Sequence, residues 1–407
     1  DMAWTIFSPF VIRQLVRQGY KPIDADKALQ ERGVVARAAL DSVMEERPVL
    51  LNRAPTLHKF GIMGFKPKIV EGRAIKIPPL IVKGFNADFD GDTMQVHVPI
   101  MPKAMEEARG MFPSQHLFNP GKLDDIMMAP GQGSAIGLYF LTKDGKNTKE
   151  KFSGSGELSE KMRKGEMDIS DMVTVAGKRT TAGRVMVDSV LPEKFRGRNT
   201  ILNKKGINGL LVDIAKTDPT NYASTVDKLT ELGNQHAFSR GVTITLNDLQ
   251  PSLPEKDRIL AAAEQSSIGM NDKDKIKLYT SVDKQIKKVI DRDLEASGNN
   301  LWYMVHSGAR GNMDQLKQIV SAPLLVEDAV GNTHPIPVTE SFSKGLSTGS
   351  YWNSMYGARR GVVDKQLQTA KPGEFNKDLM ATVVKNVITL DDCDSESGLD
   401  FDISSTD

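Results

Sequence analysis

Cysteine is almost absent from this 407-residue chain, which has a single one, Cys393. An internal disulfide is excluded, and the usage fits a reducing compartment, the cytoplasm. Long apolar runs are missing as well. Nothing approaches the roughly 18 consecutive apolar residues of a membrane-spanning helix, so no membrane partner is expected. Neither sign of charge is in excess: 53 Lys and Arg face 52 Asp and Glu, a net charge of +1. Any polyanion would therefore have to be met by local clusters. No secretory leader and no internal repeat is visible, and the first residue is Asp1 rather than Met. A fragment or a processed piece is the expectation. Basic residues stop at Lys385, and the tail over 391–407, DDCDSESGLDFDISSTD, reads as acidic and disordered.

What is present is ordinary globular composition, 39% hydrophobic and 26% charged, with length for about two to four domains. Residues 1–46 read as a helical lead-in, with Asp24 as N-cap of its second helix. From 47 to about 115 the texture becomes short, β-rich and interrupted by proline and glycine, in PVLLNRAP, KPKIVEG, AIKIPPLIV and TMQVHVP. Met94, Val96 and Val98 alternate with Gln95 and His97, as in a half-buried strand. This is expected to be a small β domain, a barrel in outline, followed by a short helix at KAMEEARGMF.

A mixed segment covers 116–200, with a surface loop from Lys143 to Gly156. Eight basic residues crowd 178–205 (Lys178, Arg179, Arg184, Lys194, Arg196, Arg198, Lys204, Lys205), which suits either a solvated face or a nucleic-acid contact. Within 201–300, Ile276, Tyr279, Val282, Ile286 and Val289 form an amphipathic stripe and predict a helical hairpin over 254–298. A loop and a long helix from about Tyr351 to Val387 occupy 301–390.

The densest chemistry lies in GFNADFDGDTMQVHVP, Gly84 to Pro99, where Asp88, Asp90 and Asp92 alternate and Gly91 separates the last two. On a flat strand, residues two apart lie roughly 6.6 Å from each other. Magnesium holds its oxygens at roughly 2.0–2.1 Å, so an extended strand could not wrap three carboxylates around one ion. On a helix, residues two apart do not face each other. Joint action requires a sharp bend, and Gly91 permits one. An EF-hand calcium loop needs glycine at its sixth position and glutamate at its twelfth; Thr93 and Pro99 stand there. Zinc prefers softer ligand sets. A solvated acidic turn and a magnesium site remain, and magnesium beside carboxylates suits phosphoryl or nucleotidyl transfer.

The motif NADFDGD, Asn86 to Asp92, resembles the catalytic signature of the largest subunit, β′, of multisubunit DNA-directed RNA polymerases. The resemblance extends through RPVLLNRAPTLHKFGIMGF (Arg47–Phe65), GLYFLT (Gly137–Thr142), KRTTAGRV (Lys178–Val185) and LNKKGI (Leu202–Ile207). It continues in SGARGNMDQLKQ (Ser307–Gln318) and YGARRGVVDKQLQTAKPG (Tyr356–Gly373), covering nearly the whole chain. It implies a mixed α+β fold: a double-psi β-barrel carrying the metal loop over 47–115, a pore-like segment over 116–200, a helical funnel over 201–300, and a loop plus bridge helix over 301–390.

The resemblance also implies roles. Asp88, Asp90 and Asp92 would hold Mg²⁺. Arg53 and Asn86 would contact the ribose of the incoming nucleotide, and Arg310, Gln318 and Gln132 would lie near nucleotide entry. Thr369 and Ala370 would form the nucleotide-facing surface of the bridge helix. The implied partners are a β-like subunit carrying the second barrel, the remaining β′ parts such as clamp and trigger loop, DNA template, RNA product and nucleoside triphosphates. The implied location is bacterial or phage-infected cytoplasm, associated with the nucleoid. The chain would be a split or partial subunit. Two-barrel RNA-dependent RNA polymerases, which share D-x-D-G-D, and a non-catalytic subunit fragment are the rival readings.

Two departures stand out. Pro372 and Glu374 replace a glycine-tyrosine step typical of bacterial relatives, and Pro372 is expected to break the long helix. Cys393 aligns with the first of four zinc cysteines, but the other three are missing, so this chain cannot build a tetrahedral Zn²⁺ site alone.

Overall fold

The computed structural model describes residues 1–407 except Pro120, Gly121, Leu123, Ala329, Ile388, Asp391–Cys393, Glu396, Leu399, Asp400 and 401–407. Cys393 and most of the acidic tail thus lie outside the described residues. The fold is mixed α+β and divides into two compact units. One comprises Asp1–Leu249 and Leu294–Leu316; the other takes Gln250–Asp293 and the described residues from Lys317 onward.

The first unit opens with three helices, Met2–Arg17, Pro22–Glu31 and Val34–Glu46. Pro22 rather than Asp24 sets the start of the second. Its fixed φ suits the first helical position, and Asp24 falls inside the first turn, where a carboxylate favours the helix dipole. Phe7, Val11, Leu15, Leu40 and Val43 bury the inner faces of this helical layer. Phe65, Val96 and Val98, from the two neighbouring strand segments and the residue just past one of them, pack onto the same cluster.

Three strands follow, β1 (Val49–Asn52), β2 (Ile62–Phe65) and β3 (Gln95–His97), in the antiparallel order β2-β1-β3. The segments KPKIVEG and AIKIPPLIV, expected as strands, are irregular up to a 3-10 turn at Pro79–Ile81 and a short helix at Val82–Phe85. Pro67, Pro78 and Pro79 withhold ladder donors there. A helix at Pro102–Gly110 closes on β2. The contact is so tight that a Cβ on Gly64 would stand 2.2 Å from the Ala108 carbonyl oxygen. Under the sheet, Leu51, Phe60, Met63, Ile81, Phe85 and Met127 form a second core.

Beyond it, the helices Gln132–Thr142, Ala182–Val190, Lys204–Thr217 and Tyr222–Arg240 share the largest core, including Leu138, Leu141, Leu211, Ile214 and Leu229. The expected surface loop after Lys143 contains a strand, β4 (Asn147–Phe152). It runs parallel to β5 (Met172–Val175), which pairs antiparallel with β6 (Lys178–Thr181). Phe152 supplies the burial that makes this polar strand part of the fold.

Of the basic residues over 178–205, Arg184 alone is buried, while the exposed Arg196 and Arg198 have partners within the chain. Arg184 is buried against Asp144 at 2.8 Å, Arg198 pairs with Asp213 at 2.5 Å, and Arg196 donates to the Leu191 carbonyl. Lys178, Arg179, Lys194, Lys204 and Lys205 stay exposed, as a solvated face or a polyanion contact would both require.

In the second unit the helix Pro254–Ser267 precedes the long helix Asp272–Ser297, which belongs to this unit up to Asp293 and whose stripe residues Tyr279, Val282, Ile286 and Val289 are buried as the periodicity predicts. A buried lysine, Lys317, donates to Asp283 of that helix and to the Pro323 carbonyl. The following loop is shaped by Asp328, whose Oδ1 accepts from the backbone N–H of Val330, Gly331 and Asn332. Arg360 joins this loop to the next helix through Glu327 at 3.4 Å. That helix, Thr348–Leu367, is interrupted at Gln368–Thr369 and resumes as Ala370–Val383. The interruption expected from Pro372 is present.

Candidate metal centre

The register of the sheet places the site. Asn52 stands opposite Gln95, so Arg53 leaves the end of β1 beside the chain that enters β3. Asn52 Nδ2 donates to Gln95 Oε1 at 2.8 Å, and Thr56 Oγ1 donates to Asn52 Oδ1 at 2.7 Å. These contacts clasp the two segments at the mouth of the aspartate loop. Nothing in the sequence pattern marked Asn52, Thr56 or Gln95, because their value lies in a cross-strand pairing 43 residues apart. The one available signal was a polar residue closing each strand.

The loop is anchored at its entry by buried Phe85, 2% exposed. Asn86 then adopts φ +47 as the C-cap of the short helix, a left-handed conformation that asparagine tolerates better than most residues. At Gly91 φ is +127, which an L side chain rarely adopts. These two reversals supply the bend that three cooperating carboxylates require. Asp88 N–H donates to Asp92 Oδ2 at 3.1 Å, folding the loop across its own ends.

The result is convergence. Carboxylate oxygens of Asp88, Asp90 and Asp92 lie within 4.8 Å of one another, the one group of three such ligands among the described residues. Oxygens on opposite sides of a magnesium ion stand roughly 4.2 Å apart, twice the roughly 2.1 Å bond. Small side-chain rotations would bring the triad to that spacing. The donors are hard oxygens, and the exposed loop leaves room for waters, so the residues fit Mg²⁺.

Electrostatics differ among the three. Asp90 is pushed up, first by its hydrogen bond with Asp88 and then by repulsion from it. Asp92 is held down, chiefly by Arg53, whose Nε donates to Oδ2 at 2.7 Å, and next by the Asp88 N–H. Arg53 is correspondingly raised by Asp92. A crowded pair beside a neutralised third member is the arrangement that a dication relieves.

The other expected site residues are more scattered. Gln132 opens the helix Gln132–Thr142 with φ +49 and is exposed. Arg310 is exposed in the loop after the helix Asn300–His306, and its N–H bonds the Met304 carbonyl. Among the described residues, no hydrogen bond or ion pair joins either side chain to the triad. Gln318 lies in the second unit on the helix Met313–Val320, its carbonyl accepting from Phe342 N–H. Thr369 and Ala370, also in that unit, stand at the helix interruption, fully on the surface. His58, in the segment Arg47–Phe65, accepts from Phe60 N–H through Nδ1.

Comparison with known proteins gives this geometry a lineage. Residues 12–113 match the family described as RNA polymerase Rpb1, domain 2, and residues 255–322 match RNA polymerase Rpb1, domain 4. The chain is 31% identical to DNA-directed RNA polymerase subunit β′ of Flavobacterium johnsoniae, over 98% of its own length and 31% of that protein. It is 33% identical to the β′ subunit of Streptomyces avermitilis, over 99% of its length and 35% of that protein. For Tropheryma whipplei β′ the figures are 34% identity, 98% and 33%. The chain is β′-like over nearly its whole length. It spans about a third of the length of these relatives.

Proposed function

We propose that this chain carries the metal-binding half of a DNA-directed RNA polymerase active site. The observation that supports it most is the convergence of Asp88, Asp90 and Asp92 in a loop bent at Gly91, within a segment of β′ kinship. In this reading the three aspartates hold Mg²⁺. When bound, the ion supplies charge that lowers the pKa of an attacking hydroxyl and steadies the phosphate oxygens. The reaction is attack of an RNA 3′-OH on the α-phosphate of a nucleoside triphosphate, with pyrophosphate leaving.

The chain's own residues position and hold. Asn86, a donor and an acceptor, and Arg53, a donor, read the ribose hydroxyls. Gln132, Arg310 and Gln318 line the approach of the nucleotide. Thr369 and Ala370 face the template-side base pair on a bridge helix made of Thr348–Leu367 and Ala370–Val383. In this reading the sheet β2-β1-β3 belongs to a double-psi barrel, and the helical hairpin over 254–298 belongs to the funnel. A β-like subunit brings the second barrel, and further β′ parts bring clamp and trigger loop. DNA, RNA and nucleoside triphosphates are the ligands, in the cytoplasm and at the nucleoid. Zinc at Cys393 would need three ligands from elsewhere.

The test is a complex reconstituted with its partner subunits. Asp90→Ala is expected to abolish magnesium-dependent nucleotide incorporation while assembly persists; retained incorporation refutes the reading. The same complex offered DNA and RNA templates separates this proposal from an RNA-templated polymerase, and the names of the relatives favour DNA.

A further inference from the structure

One oxygen of the triad is already in use. Asp92 Oδ2 accepts from Arg53 Nε at 2.7 Å and from Asp88 N–H at 3.1 Å. The Arg53 and Asp92 side chains are largely covered, 18% and 22% exposed, so this is no loosely solvated surface pair. Arg53 is itself held. Its N–H bonds the Gly61 carbonyl at 3.3 Å, its Nη1 reaches the Phe85 carbonyl at 3.5 Å, and its neighbour Asn52 is clasped to Gln95 and Thr56. The guanidinium is thus aimed at the loop by rigid structure.

A cation already bonded to a metal-binding carboxylate cannot be indifferent to a dication arriving there. It repels the ion, and it occupies the oxygen that faces it. We infer that Arg53 is a resident counter-ion for Asp92, released when magnesium binds, so that metal loading frees its guanidinium for the nucleotide. This inference rests on the triad being a magnesium site. It adds that the ion and the sugar are recognised in sequence, through one side chain that exchanges partners. No covalent bond is made or broken in the exchange. The Arg53–Asp92 hydrogen bond gives way, the carboxylate turns to the ion, and the guanidinium keeps its charge throughout.

The exchange is readable without catalysis. In the full chain labelled with ¹⁵N-arginine, the Arg53 Nε–H signal, assigned by its loss in Arg53→Lys, is followed as magnesium chloride is added. Binding is measured in parallel by calorimetry. The signal is expected to move to the position it takes in Asp92→Asn, with the same half-saturation as binding. Arg53→Ala is expected to bind magnesium about tenfold more tightly, because the competing cation is gone. An Arg53 Nε–H signal unmoved at saturating magnesium, or weaker binding by Arg53→Ala, overturns the exchange. Asp90→Ala binding magnesium as well as the parent chain would instead overturn the metal site itself, so the two failures are distinct.

Discussion

Pro372 follows Gln368 by four residues, and Gln368 is where the helix Thr348–Leu367 ends. That spacing identifies the cause. In an α-helix the N–H of residue 372 would bond the carbonyl of 368; proline has no N–H, and its ring crowds that carbonyl. The backbone of Gln368 and Thr369 nonetheless stays in the right-handed helical region, with φ/ψ of −80/−13 and −64/−26. The chain keeps turning while the hydrogen-bond ladder lapses. Pro372 then falls in the first turn of Ala370–Val383, where a missing donor is tolerated.

Replacing that proline should therefore repair the ladder. Pro372→Ala restores a donor for the Gln368 carbonyl and, at this first-turn position, relieves less than the ~3 kcal/mol that proline costs in a helix interior. Amide hydrogen exchange over 369–374 is expected to slow by at least about tenfold relative to the parent chain. Unchanged exchange would shift the cause to Gly373, the neighbouring weak helix former.

Much of this was legible in the sequence, and what was not has physical reasons. Stripe residues such as Tyr279 and Ile286 obey a helical period that tertiary contacts reinforce, so the long helix was readable. The three aspartates were readable as a bend if they act together, because residues two apart cannot meet on a flat strand or a helix. The segments around Pro67 and Pro78 have strand-like residues but lack ladder donors, so composition misled there. Strand β4 was hidden in a polar stretch, since only Phe152 reveals which face is buried. The Arg53–Asp92 pair could not be read at all. It depends on a register that joins residues 39 positions apart.

Gly91 is the residue on which the bend turns. With φ at +127 and nothing within 4 Å of an added Cβ, Gly91→Ala meets backbone strain but no steric clash. Such strain costs about 1–3 kcal/mol and can be relieved by a local change of the exposed loop. Thermal unfolding should move by no more than about 2 °C. Magnesium binding, measured by calorimetry, should weaken by about tenfold or more. Equal binding by the variant would mean that the loop geometry is not what gathers the carboxylates.

Gly64 tests the scaffold instead of the loop. A Cβ there would stand 2.2 Å from the Ala108 carbonyl oxygen and 3.0 Å from the Phe112 ring, while Gly64 N–H bonds the Met111 carbonyl at 2.9 Å. Gly64→Ala must push the helix Pro102–Gly110 off β2, an overpacking cost of about 1–3 kcal/mol. Gly110→Ala, in open space on the same helix, serves as the control and should be neutral or stabilising. Denaturant midpoints of the two variants should diverge in those directions.

The buried pair Lys317–Asp283 makes a prediction about acid. Lys317 is 6% exposed and Asp283 21%. Burial pushes the Asp283 carboxyl up, but hydrogen bonds from Lys317 and Lys287 together outweigh it, and its net position is below the ordinary carboxylate value. A carboxyl depressed on folding contributes stability that is complete above its unfolded pKa, about 3.9, and is lost as pH falls through the lower folded value. Lys317→Met removes the cation and leaves a partly buried carboxylate, at a cost of about 3 kcal/mol near neutrality. It also removes part of the depression, so the variant should lose less of its remaining stability than the parent chain as pH falls from about 4, the unfolded value, toward about 2. Pairing Lys317→Met with Asp283→Leu should recover most of the neutral-pH loss, because no charge is then left uncompensated. Urea unfolding of the parent chain and both variants across that pH range is the measurement. A Lys317→Met chain as stable as the parent at neutral pH would show that this pair does not hold the long helix to the segment after it.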